Sequence, residues 1–174
     1  MNLAAHLHAF GARALAPGDA PFLARLYAST RQDLLGSGRA DPALAASIMS
    51  MQQRLQMADY RQRFPDAIYL ILEEGGEPVA RIVLEHGPLA MRLVDIALLP
   101  HARGRGTGSA VLRALQQWAA AHRLPLTLSV HRSNPQARRL YLGLGFAIER
   151  AGEHADALRW EPARLDFICT EQSQ

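Results

Sequence analysis

The chain contains no lysine; all 19 of its basic residues are arginine. A Walker A phosphate loop requires G-x-x-x-x-G-K-[ST], so that class of nucleotide site is excluded. There is one cysteine, Cys169, which rules out an internal disulfide and a cysteine-based zinc site and fits a reducing compartment. Aromatic residues make up 6% of the chain and no basic run reaches five residues. The mild positive balance (+3, pI ≈ 9.6) therefore does not read as a nucleic-acid surface. No apolar run approaches the roughly 20 residues that cross a bilayer. The opening MNLAAHLHAFGARALAPGD lacks the charged start and continuous apolar core of a secretory signal. His6 and His8 stand two apart with no carboxylate or thiol nearby, which reads as surface histidine and not as a metal site. The expectation is a soluble cytoplasmic protein with no metal, membrane or nucleic-acid partner.

At 174 residues and 49% hydrophobic content, the chain is expected to be one domain over residues 1–174 with a substantial core. Acidic residues are missing from one long stretch. No Asp or Glu occurs from Ile96 to Ile148, while the same stretch holds seven arginines. At its start lies Arg103-Gly104-Arg105-Gly106-Thr107-Gly108, between an apolar strand and an amphipathic helix. Alternate glycines let the backbone turn tightly and expose its N–H groups. The helix start adds free donors and the positive end of its dipole. Together these predict a cradle for phosphate oxygens. It is not a dinucleotide fingerprint. The third glycine comes one position early for G-x-G-x-x-G, and the ribose-binding acid about 20 residues on is missing.

Arg103-x-x-Gly106-x-Gly108 resembles the acyl-coenzyme A loop of the GNAT superfamily of N-acetyltransferases. Ile96-Ala97-Leu98-Leu99-Pro100 is similar to that family's splayed strand end. Asn134-Pro135-x-Ala137-x-x-Leu140-Tyr141-x-x-Leu144-Gly145-Phe146 is similar to its second motif. The likeness spans Leu70 to about Trp160. It implies a mixed α/β sheet flanked by helices, with strands four and five parting to admit the pantetheine arm.

Periodicity and punctuation give the elements. Residues Met1 to Phe10 read as a ragged lead-in. A first strand is predicted at Ala12–Leu15, then a helix over Ala20–Leu34 with Asp19 as its N-cap and Phe22, Leu23, Leu26 and Tyr27 buried. Gly36-Ser37-Gly38 breaks it. A second helix follows Asp41-Pro42 and reaches Arg63, with Ile48, Met51, Leu55 and Met57 as its apolar stripe. Strands are predicted at Ala67–Leu72, Pro78–Glu85, Ala90–Leu99, Leu126–Val130, Phe146–Arg150 and Ala155–Trp160. In the second of these, Ala80, Ile82 and Leu84 alternate against Arg81, Val83 and Glu85. Glu73-Glu74-Gly75-Gly76-Glu77 reads as a hairpin turn. Helices are predicted at Ser109–His122 and Pro135–Leu144, the latter capped by Asn134 and stopped by Gly145. The tail from Pro162 to Gln174 is left unassigned.

Transfer of an acetyl group to an amine needs a polarised thioester, a neutral amine and a proton for the leaving thiolate. The resemblance implies acetyl-CoA as donor, with the backbone near Leu98 and Pro100 beside the acetyl and pantetheine groups. Proline has no N–H, so Leu98 N–H is the expected polariser and Pro100 offers only its carbonyl. The pyrophosphate is expected over Arg103, Gly104, Arg105, Gly106, Thr107, Gly108 and Ser109. Arg103 is open between bracing the loop and touching phosphate. Asn134 and Tyr141, two helical turns apart, share a face. The resemblance places Asn134 near the pantetheine amide and Tyr141 near sulfur as general acid. The base is open between Asp95, Glu85, His131, His101 and an ordered water chain. Asp95 also reads as a salt-bridged strand residue, partnered by Arg92 or Arg81.

The second helix is the expected acceptor wall, with Gln52, Gln53, Gln56 and Tyr60 as polar contacts. Its single acid, Asp59, against Arg54, Arg61 and Arg63 tilts the reading towards a carboxylate-bearing amine. Many members of the family dimerise, so a homodimer is carried as an expectation. A non-catalytic acyl-CoA-binding regulatory module on the same fold is the alternative, since fold alone does not give function.

Overall fold

The computed structural model describes residues 3–30 and 42–163. The predicted helix end at Leu34, the Gly36-Ser37-Gly38 break and most of the unassigned tail lie outside these residues.

A seven-stranded mixed sheet carries the fold, in the order β1-β2-β3-β4-β5-β7-β6. Its strands are β1 Ala12–Ala14, β2 Ile68–Glu74, β3 Glu77–His86, β4 Met91–Leu98, β5 Leu126–His131, β6 Ala147–Arg150 and β7 Ala155–Trp160. All neighbours are antiparallel except β4 and β5. The helices are α1 Leu3–His8, α2 Ala20–Thr30, α3 Pro42–Arg63, α4 Thr107–Ala121 and α5 Pro135–Gly143. The hairpin between β2 and β3 turns on Gly75 and Gly76, both at positive φ (62° and 83°). Two left-handed residues in a row are what the right-handed twist of paired strands demands of a two-residue turn.

Strand alternation divides the sheet between two helical layers. Leu70, Leu72, Ile82, Leu84, Leu126 and Leu128 face α1, α4 and α5 in one continuous core. α4 turns Val111, Leu112, Leu115, Trp118 and Ala119 into it, each large side chain contributing about 1.5–3 kcal/mol of transfer free energy. On the opposite face Ile71 packs with Phe22, Leu23 and Leu26 of α2. β3 lies between both layers and is buried continuously from Val79 to Leu84.

Three expectations are corrected. Leu3–His8, within the expected lead-in, are not loose. They form α1, whose Leu3 and Leu7 are 3% and 1% exposed and whose His6 Nε2 lies 3.0 Å from Ala114 O of α4. Asp19 does not cap α2. It ends a 3-10 turn over Pro17–Asp19, where its carboxylate accepts from Ala16 N at 2.8 Å and from Arg13 at 2.7 and 2.8 Å. Arg81, one of the two partners offered for Asp95, is buried, because α3 covers that side of β3. On α3 itself only Met57 of the predicted stripe is buried. Ile48, Met51 and Leu55 face solvent.

Two buried carboxylates tie the periphery together. Asp19 is held by Arg13, and Asp156 of β7 by Arg138 of α5, whose Nε donates at 2.9 Å. In each case the guanidinium bonds keep the carboxyl below the usual aspartate range. A depressed folded pKa gives stability that is fully present above the unfolded value near 4 and is lost as pH falls through the folded one. Tm should therefore hold above about pH 5 and fall steadily below about pH 4. Arg138→Met should lose stability at pH 7 and draw closer to wild type as pH falls below about 4. Thermal melts showing a gap independent of pH would contradict this linkage.

Candidate active site

The site is made by a parting of strands. β4 and β5 pair in register only from Met91↔Leu126 to Leu93↔Leu128. Beyond that they diverge around a cavity of ≈ 150 Å³, lined among others by Asp95, Ile96, Ser129, Asn134 and Tyr141. Leu99 N donates to Val79 O at 2.9 Å, so at Leu99 the hydrogen-bonding groups point towards β3. Alternation turns the N–H and C=O of Leu98 to the other edge, which β5 has left. Leu98 N–H thus faces the gap, and Leu98 O accepts from Arg103 Nε at 2.8 Å.

The loop beyond β4 is shaped by glycine. A 3-10 turn over Pro100–Ala102 uses the Pro100 carbonyl to accept from Arg103 N at 3.2 Å. Gly104 and Gly106 follow at φ 71° and 89°, a region costly for other residues. Gly106 is the N-cap of α4, and its carbonyl accepts from Ala110 N at 2.9 Å. The N–H groups of Thr107, Gly108 and Ser109 therefore have no partner within the helix. Gly108 has ordinary φ, and a Cβ there would meet only Leu98 Cδ1 at 3.9 Å. Among the described residues, nothing requires glycine at this position.

Arg103 acts as a brace. Besides Leu98 O, its guanidinium reaches Ser29 O and Oγ of α2 at 3.3 and 3.2 Å. The loop is also less purely positive than its own sequence suggests. Glu74, delivered by the β2–β3 hairpin, accepts from Thr107 Oγ1 at 2.9 Å. No local pattern in the loop announces that contact.

α5 supplies the opposite wall. Asn134 caps it by accepting from Ala137 N at 3.1 Å, and Pro135 occupies the first turn. Tyr141 is 8% exposed, with its ring edge-on to Phe146 at 5.9 Å. Burial pushes its phenol up to about 12, and the Asp95 carboxylate adds to the rise.

On the far side of the sheet, Asp95 is gripped by Arg81. Nε and Nη2 of Arg81 both donate to Oδ2, at 3.0 and 2.9 Å, and Tyr60 Oη lies 3.5 Å from Oδ1. Arg81 also donates to Gln56 Oε1 at 3.3 Å. Tyr27 Oη lies 3.5 Å from Gln52 Oε1. Gln52, Gln53, Gln56 and Tyr60 are thus all half-buried on the inward side of α3. Arg54, Arg61 and Arg63 are exposed, so apart from the buried Met57 the inward face is neutral and polar. Of the other candidate bases, Glu85 lies 3.8 Å from Arg92 and His131 Nδ1 lies 2.8 Å from Ser133 Oγ. Among the described residues there is no cluster of three or more potential metal ligands and no helix long and apolar enough to cross a membrane.

Fold and site define a class: a mixed α/β sheet opened at its parallel pair, with a glycine-shaped loop and a helix start at one end of the opening. The acetyltransferase (GNAT) family model matches residues 39–146, more than half of the chain, and the protein belongs to that family of acetyltransferases. Solved structures with the same fold include the PaiA N-acetyltransferase of Thermoplasma acidophilum in complex with coenzyme A. It shares 17% identity over 86% of this chain and 97% of its own, with a TM-score of 0.61. An acetyltransferase from Thermus thermophilus shares 21% identity over 86% and 95%, with a TM-score of 0.60. A GNAT family acetyltransferase from Elizabethkingia anophelis with acetyl-CoA bound shares 16% over 61% and 82%, with a TM-score of 0.53.

Proposed function

We propose that this protein is an acetyl-CoA-dependent N-acetyltransferase that moves an acetyl group directly onto the primary amine of a small molecule or peptide. The observation that carries the reading is the gap between β4 and β5, with Leu98 N–H on one edge and Tyr141 on the other. The coenzyme A and acetyl-CoA bound by two proteins of this fold support the choice of donor.

In this reading the donor supplies the activated acetyl thioester. Thr107, Gly108 and Ser109 N–H groups, with Gly104 and Gly106 shaping the loop, hold the pyrophosphate, and Arg105 stands beside it. Arg103 fixes the loop to β4 and α2. Asn134 and the backbone up to Pro100 line the pantetheine path. Leu98 N–H donates to the thioester oxygen, where negative charge grows as nitrogen attacks. The N–C bond forms and the C–S bond breaks. Tyr141 gives its proton to the departing sulfur, and the amine's proton leaves through a base or water. The neutral polar face of α3 and the Asp95 carboxylate favour a polar amine acceptor.

Calorimetric titration with acetyl-CoA tests the donor site. Wild type should bind. Gly106→Trp should not, and Gly108→Gln should keep its Tm while losing about tenfold or more in affinity, the size of effect a single displaced contact produces. A folded wild type that does not bind acetyl-CoA would overturn the donor assignment and the enzyme reading with it.

A further inference from the structure

No Asp or Glu occurs from Ile96 to Ile148, yet a carboxylate stands at the start of α4. It belongs to Glu74, the last residue of β2, whose Oε1 accepts from Thr107 Oγ1 at 2.9 Å. The hairpin tip that carries it has a defined shape. Gly75 and Gly76 take positive φ, and Glu74 pairs with Glu77 across the turn. Glu74 is exposed, and among the described residues it forms no ion pair. Arg103 is committed to Leu98 O and to Ser29. No guanidinium cancels the Glu74 charge.

Thr107 is the first residue of α4, and its N–H is one of the donors with no partner in the helix. Within one threonine, Oγ1 and N are less than about 4 Å apart in any rotamer. With the 2.9 Å bond, the Glu74 oxygen lies within about 7 Å of that nitrogen, and within about 10 Å of any phosphate oxygen bonded to it. Charges exposed to water still act on each other over about 10 Å at 0.1 M salt. We infer that Glu74 is a resident anion of the donor site. It takes the positive end of α4 while the site is free, and it opposes the pyrophosphate once the donor arrives. It thereby weakens the binding of acetyl-CoA and of the product CoA alike. The inference rests on the donor site proposed above.

Donor and product carry the same phosphates, so a charge at this position lowers both affinities by one factor. Direct transfer leaves CoA in the site at the end of every turnover, and release of product often limits the rate. Glu74 favours that release at the expense of donor affinity. A different role for the same contact is to brace the start of α4 through Thr107. The two roles predict opposite signs. Glutamine keeps an acceptor oxygen for the Thr107 hydroxyl and loses the charge. Glu74→Gln therefore leaves a brace in place and removes a repulsion. One charge facing the two of a pyrophosphate across roughly 8–10 Å of water amounts to a two- to sixfold change in Kd at low salt.

Calorimetric titration of the full chain with CoA and with dephospho-CoA, at about 20 mM and about 0.5 M NaCl, tests it. Dephospho-CoA lacks the 3′-phosphate and keeps the pyrophosphate. Glu74→Gln, at an exposed site, should keep the wild-type circular dichroism spectrum. It should bind both nucleotides about two- to sixfold more tightly than wild type at low salt, and the gain should shrink to less than about 1.5-fold at high salt. Glu74→Arg, a change of two charge units, should gain more than Glu74→Gln. Wild type that binds neither nucleotide overturns the donor site and this inference with it. Wild type that binds both, beside a Glu74→Gln variant that binds equally or more weakly, overturns this inference alone. A gain indifferent to salt overturns its electrostatic origin. A gain seen with CoA and absent with dephospho-CoA overturns the pyrophosphate as the group that Glu74 opposes.

Discussion

Tyr141→Phe should lower kcat about 100-fold and leave the KM for acetyl-CoA within about twofold. Positioned general acids are worth roughly 10²–10⁴ in rate. An interaction made only in the transition state is lost from kcat and kcat/KM alike. The substitution keeps the ring, its edge-on contact with Phe146 and nearly all of the buried surface, so packing is almost unchanged and the missing atom is the phenol oxygen. Because burial and the Asp95 charge push the phenol up to about 12, the proton-bearing form persists as pH rises and is lost only above that value. Tyr141 should therefore put no alkaline limb on the wild-type profile between pH 7 and 10. Steady-state rates with any amine the enzyme acetylates decide the matter. An unchanged kcat in Tyr141→Phe would show that sulfur leaves without help from this residue. An alkaline limb present in wild type and absent from the variant would show that the phenol titrates lower than its surroundings indicate.

Local chemistry is legible in the sequence, and long-range covering is not. The Gly104–Gly108 loop, the Asn134 cap, the Gly75-Gly76 turn and β7 are written in neighbouring residues. Each requires only a few backbone bonds or dihedrals, and each appears where the pattern puts it, within a residue or two. The wider frame follows from motif order. What fails depends on which element comes to lie over which. Arg81 alternates with Ala80 and Ile82 as a solvent-facing strand residue would, yet α3 lies over it. The one hint is Val83, an apolar residue in the same register as Arg81. Leu3 and Leu7 carry too short a pattern to announce a helix before α4 is there to receive them. The stripe on α3 has the expected period but lies on the outward side, because periodicity gives a face and not its direction. Glu74 and Ser29 reach the loop from 33 and 74 residues away in sequence, a distance that no local pattern spans.

Arg81→Met should destabilise the protein by about 3–5 kcal/mol, the range for removing one partner of a buried ion pair. For a chain of this length that corresponds to a fall in Tm of roughly 6–20 °C. Arg81 has 4% of its side chain exposed and Asp95 19%, so Asp95 cannot recover full hydration when its partner goes. Two further groups lose their donor: Gln56 Oε1, and the sulfur of Met57, which Arg81 Nη1 approaches at 3.4 Å. The cost should come mainly from the stranded charge and only secondarily from lost packing. A double-mutant cycle separates the two, because Asp95→Asn in the Arg81→Met background removes the charge and should recover at least about 1.5 kcal/mol. Urea melts giving additive effects would mean that solvent already screens the pair. The same cycle bears on the site. Burial raises the Tyr141 pKa most and Asp95 adds to it, so Asp95→Asn should lower it only part of the way towards the ordinary phenol value of about 10. The Asp95 carboxylate, which lines the cavity, is thereby also part of what keeps the proton on Tyr141.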